Sequence, residues 1–216
     1  MSGAGGPSSG GPPEKSGPAK KSGPPKKSDW PKGPFPEKWA FPVVEKRLAS
    51  AWDEPTRHQA WQALLASGAV RLPPTDDLYV RAFSGASPLS IEALEAAGIT
   101  VFDHAAQGAR PVEGAKVALP TLDLFDALVA LGVAGPHHGI GNRAIVRFLV
   151  QARAFATITI ETAGEDLLIL RLHAKGPEAA ALLAERLPHI APTVQQEGLL
   201  DALLSGQALH LDWSPS

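Results

Sequence analysis

A basic, proline-rich hexad recurs through the first thirty-eight residues and confines folding to the chain that follows. Lys15-Ser16-Gly17-Pro18-Ala19-Lys20 is succeeded by Lys21-Ser22-Gly23-Pro24-Pro25-Lys26, and then by Lys27-Ser28-Asp29-Trp30-Pro31-Lys32. Eight Gly, nine Pro, six Ser and seven Lys occupy these thirty-eight positions. So few aliphatic side chains cannot offset the entropy of ordering the backbone. Residues 1–38 therefore read as a disordered tail. Its seven Lys are opposed only by Glu14, Asp29 and Glu37, so a tail of +4 precedes a body of −6.

The body's 178 residues suffice for one sizeable domain or for two small ones that share a core, and 44% hydrophobic content supports a packed interior. The chain has no Cys, which excludes disulfides and thiolate metal sites. Its start has neither the apolar core of a secretory signal nor the Arg of an organelle-targeting helix, and no apolar run approaches the length of a spanning helix. A cytoplasmic protein is the expectation. High Ala, Gly, Pro and Leu usage points to a GC-rich bacterial source.

Trp39, Phe41, Val43 and Val44 form the first apolar anchor of the body. Asp53 is a fitting N-cap for a helix with Pro55 in its first turn and Trp61, Leu64 and Leu65 on one face, ended by Gly68. A strand over Leu78 to Phe83 follows. Ser87-Pro88 opens a short helix with Ile91 and Leu94 that closes at Gly98, and Ile99 to Phe102 is the next strand, giving a small β-α-β unit. Gln107 to Lys116, punctuated by Gly108, Pro111 and Gly114, reads as a loop and the best internal boundary.

From Thr121 an almost wholly apolar helix runs to Leu131, with Asp123 and Asp126 in its first half. After the loop from Gly132 to Gly141, Asn142 caps a helix whose core stripe is Ile145, Phe148, Leu149 and Ala152. Phe155 to Glu161 and Leu167 to Leu172 read as a hairpin. Gly176-Pro177 starts a helix that Pro188 stops, a shorter helix covers Leu199 to Leu204, and Ala208 to Trp213 alternates as a final strand. The division this gives is a tail over 1–38, an N-terminal α/β subdomain over 39–106, a linker loop over 107–118 and a C-terminal α+β subdomain over 119–216. The fold class is α+β, with a mixed or antiparallel sheet and helices packed on one face, behind a disordered N-terminal tail.

Leu119-Pro120, the Gly-rich segment before the helix at Arg143, the hairpin, and Gly176-Pro177 opening a helix with Ala184-Glu185 occur in a recognisable order. On these points the stretch from Leu119 to Trp213 resembles an uncharacterised bacterial family of small domains of unknown function that ends in a Trp- and Asp-containing strand. That family commonly has Cys-Pro-Asp where this chain has Ile190-Ala191-Pro192-Thr193, and a double Trp before Asp where this chain has Leu211-Asp212-Trp213. The resemblance implies a fold and no activity.

Gly139-Ile140-Gly141-Asn142-Arg143-Ala144 fits a loose dinucleotide fingerprint, with Glu161 about twenty residues on as a ribose-binding acid. Two features oppose it. Gly135-Pro136-His137-His138 stands where a strand is required, and Glu161 belongs to a hairpin rather than to a crossover. The candidate ligand-binding residues are His137, His138, Gly139, Gly141, Asn142, Arg143 and Arg147, because imidazoles, guanidinium groups and free N–H donors at one helix end suit an anion. The competing reading is an ordinary interhelical loop with histidines and arginines facing water.

The seven His show no zinc-protease spacing, and His210 with Asp212 could pair on one strand face but reads equally as an ordinary exposed face, so neither a metal nor a cofactor is expected. There is no Gly-x-Ser-x-Gly, no phosphate-binding P-loop and no catalytic motif. The Lys-rich tail, with Trp30 and Phe35, admits nucleic acid as a lesser reading, since +4 is a thin charge and the acidic body repels a polyanion. The expected function is an interaction or accessory module with a flexible basic tail and another protein as partner. The alternative is a small anionic-ligand protein or enzyme with its site from Gly135 to Arg147.

Overall fold

The computed structural model describes residues 35–67, 70–71, 81–84, 89–106 and 110–214. The tail expected before Phe35, the helix stop at Gly68, the strand start from Leu78 to Val80, the Ser87-Pro88 opening and Gln107 to Ala109 lie outside them. Composition places Phe35, Pro36, Glu37 and Lys38 in the tail, yet Phe35 is 9% exposed and Glu37–Trp39 forms a 3₁₀ turn. The folded body therefore takes in these four residues. Trp39 meets Phe125 edge-on at 4.8 Å, and its indole N–H donates to Asp123 at 3.3 Å.

Two helices open the body. α1, Phe41–Ala51, was seen in the sequence only as an apolar anchor; Pro42 sits in its first turn, and Val44 and Leu48 point into the core. α2, Pro55–Ala66, begins one residue later than an Asp53 cap would place it, and the Glu54 carboxylate accepts the Arg57 N–H at 3.0 Å. Trp61 and Leu64 are buried, whereas Leu65 is exposed.

The sheet is mixed and has seven described strands in the order β1-β2-β4-β3-β5-β6-β7. These are β1 Val70–Arg71, β2 Arg81–Ser84, β3 Thr100–Ala106, β4 Arg110–Leu119, β5 Ala156–Ala163, β6 Leu167–Ala174 and β7 Ala208–Asp212. The β-α-β unit is present in split form. β2 and β3, joined through α3 at Ile91–Ala96, both pair antiparallel with β4, which lies between them. The expected linker over 107–118 is thus corrected, because most of it is strand β4. Pro111 pairs with Ala105 of β3 beyond the register shift at Asp103/Ala105, and the described β2 pairs cover Ala115 to Ala118.

β3 and β5 run parallel; β5, β6 and β7 form an antiparallel run. Alternation along β6 turns Leu168, Leu170 and Leu172 into the main core and leaves Arg171 and His173 exposed on the opposite face. Three further helices pack from the core side: α4 Leu124–Leu131 against α1 and β5, and α6 Pro177–Arg186 and α7 Leu199–Ser205 against β6. α5, Asn142–Ala152, packs against α4 and buries Ile145, Val146, Phe148 and Leu149. On the open face two ion pairs link neighbouring strands, Lys116 with Asp103 and Arg171 with Glu161. Among the described residues no helix is long and apolar enough to cross a membrane.

Candidate functional site

α5 and the end of α6 flank a groove of about 940 Å³, between Gly141, Arg143, Ala144, Arg147, Phe148 and Gln151 on one side and Arg186, His189 and Ile190 on the other. The amphipathic period of α5 sets its wall. Ile145, Val146 and Leu149 go to the core, so Arg143 and Arg147, four residues apart, come out together on the groove side. The facing wall follows from Pro188. It ends the α-helical hydrogen bonding of α6, the chain tightens into a 3₁₀ turn over Leu187–His189, and His189 and Ile190 are turned toward α5.

Trp213 fixes that turn from beneath. Its ring is fully buried, its indole N–H donates to the Ile190 carbonyl at 2.7 Å, and Gly135 lies so close that a Cβ there would stand 2.4 Å from the ring. One side chain from the last strand region thus holds both the groove's far wall and the loop leading to α5.

The expected site residues separate. Gly141, Arg143 and Arg147 line the groove, whereas His137, His138 and Gly139 sit on an exposed 3₁₀ turn, Pro136–His138, that Gly139 closes with φ 68°. Asn142 is the first residue of α5 and faces inward: its amide donates to the Leu128 carbonyl at 2.8 Å and to the Val133 carbonyl at 3.0 Å. It ties the C-terminal turn of α4 to the following loop. Glu161 pairs with Arg171 on the open sheet face, and its strand continues into antiparallel β6.

Arg186, His189 and Ile190 were missed. Their signal in the sequence is weak, an Arg and a His three residues apart around a proline that otherwise marks only a helix end. Among the described residues that line the groove there is no carboxylate. Arg143 stacks over the Phe35 ring at 5.0 Å, a cation–π contact that orients the guanidinium without neutralising it. Its floor is apolar, formed by Ala144, Phe148 and Ile190.

A second cleft of about 610 Å³ also contains cations, Arg153 and Lys175, but these are engaged. Lys175 donates to the Arg153 and Ala154 carbonyls at 3.2 Å each, at the end of α5, and Arg153 lies 5.2 Å over Phe125. The His210 and Asp212 pair is likewise committed in part: Asp212 accepts the Ser214 N–H at 2.8 Å, and its carbonyl accepts the Thr193 hydroxyl. Among the described residues no three His, Asp or Glu side chains cluster as metal ligands do. No protein-family model, curated protein or solved structure matches this chain.

Proposed function

We propose that the chain is an interaction or accessory module whose α5 groove receives an anionic group carried on an apolar body. The observation that carries this reading is the meeting of Arg143, Arg147, Arg186 and His189 around an apolar floor with no carboxylate among the described lining residues. Guanidinium groups suit carboxylate, phosphate or sulfonate oxygens, and a low-polarity floor strengthens each such contact. The basic tail supports the same reading, since residues 1–34 join the body at Phe35, directly under Arg143.

Anilinonaphthalene sulfonate, an aromatic anion, is a suitable probe, with uncharged phenylnaphthylamine as its control. The expected result of Arg147→Ser is about a tenfold loss of sulfonate affinity by fluorescence titration, the size of one charge-assisted contact, with the control dye unaffected. Equal affinity of the sulfonate for both proteins sinks the groove as an anion site.

A further inference from the structure

We infer that the natural occupant of this groove is an acidic amphipathic helical segment of another polypeptide, lying with an apolar stripe on Phe148 and Ile190; the inference rests on the groove reading above. The basic residues form two rows rather than one cluster. Arg143 and Arg147 are four residues apart along α5, and Arg186 and His189 are three apart where α6 tightens into its 3₁₀ turn. Each row therefore repeats over about 5–6 Å. Acidic side chains at i and i+4 of a helix repeat over the same distance, so a helix with carboxylates on both flanks of an apolar stripe meets both rows at once.

Two observations favour this occupant over smaller or nucleic ones, and the distribution of charge favours docking at the groove. Arg143, Arg147 and His189 are exposed, while a small ligand's site normally encloses about 70–90% of it. Phe148 is only 6% exposed, and Phe35 already lies under Arg143, so neither ring offers a free face to a stacked base. The body from Trp39 onward carries a net −6, against which Arg143, Arg147 and Arg186 at the groove and the six Lys that precede Phe35 are a local concentration of positive charge. Charge thus orients the encounter before contact is made.

The test uses the full chain with anilinonaphthalene sulfonate bound, titrated with a capped Leu/Ala/Glu peptide that places Leu in one helical stripe and Glu on both sides. The same peptide with Lys for Glu and a single-stranded oligonucleotide of matching charge are run in parallel. Displacement by the Glu peptide alone, weakened about tenfold by Arg147→Ser and by His189→Glu, is the expected result. If the dye still binds in an Arg147-dependent way but the Glu peptide does not displace it, the helix inference falls and the anion groove stands. Displacement by the oligonucleotide in preference to the peptide overturns the inference in favour of nucleic acid. Dye binding that ignores Arg147 overturns both readings together.

Discussion

At the residue scale the most consequential pair is Arg47 and Asp126. Asp126 lies in the first turn of α4 and is 2% exposed; Arg47 reaches it with a two-pronged contact, Nε to Oδ2 at 2.8 Å and Nη2 to Oδ1, and Thr121 donates to Oδ2 at 3.4 Å. The hydrogen bond to the carboxylate raises Arg47 above the ordinary arginine range. The two partners are not equivalent, because the Arg47 side chain is 41% exposed and that of Asp126 only 3%. Arg47→Ala leaves a buried charge without its counter-ion, an expected cost of about 3–5 kcal/mol. Asp126→Ala leaves a cation that water can solvate, and the expected cost is nearer 1–2 kcal/mol, roughly that of the lost contacts. Urea denaturation of the two variants, compared at equal m-value, checks the order. Such a pair was invisible in the sequence, since Arg47 lay in a segment read only as an anchor and seventy-nine residues separate the partners.

At the element scale, legibility followed periodicity. β5, β6 and β7 alternate visibly, and α4, α5 and α6 carry long apolar stripes, so their existence and order could be read directly. β4 could not. Pro111 and Gly114 are turn-forming residues, yet both lie within a strand that pairs with β3 and β2. α1 was hidden because two apolar residues, Val44 and Leu48, are all it buries. The groove failed the sequence reading for a different reason: one wall is a helix face and the other a broken helix end some forty residues on, and nothing local joins them. The start of α2 gives a sharper case, because Asp53 looked like the cap and Glu54 is the cap. Acceptance of the Arg57 N–H holds the Glu54 carboxyl below its usual range. A carboxylate depressed in this way stabilises the fold above its unfolded-state value, and the effect disappears as pH falls through the lower folded value. Glu54→Gln is therefore expected to speed amide exchange at Arg57 at neutral pH, with the difference from the parent chain vanishing once Glu54 is protonated.

At the scale of the whole molecule, the question is where the folded body starts and what the basic segment before it does. Composition placed the change near Trp39; packing places Phe35 and Trp39 together in the core, with Trp39 against Phe125 and Phe35 under Arg143. The error was small but has a physical cause. Pro34-Phe35-Pro36 looks like the proline-rich text before it, and a single aromatic is enough to dock such a segment if a cation and a cleft await it. A chain beginning at Phe35 is therefore expected to melt with the full-length protein, whereas one beginning at Ala40 loses the Trp39 ring and its hydrogen bond to Asp123. Large-to-small changes at buried aromatics cost about 3–5 kcal/mol, and a loss of that order is expected in the shorter chain. The Phe35 chain also isolates the electrostatic part of the tail, whose six Lys before Phe35 are opposed only by Glu14 and Asp29. Charges on such a segment act over the Debye length, about 30 Å at 0.01 M salt and about 8 Å at 0.15 M. Titrations of the Glu-flanked peptide at these two salt concentrations are expected to show tighter binding to the full chain at the lower one and convergence at the higher. Convergence would mean that the tail steers the partner, and that the groove arginines, which the two proteins share, hold it.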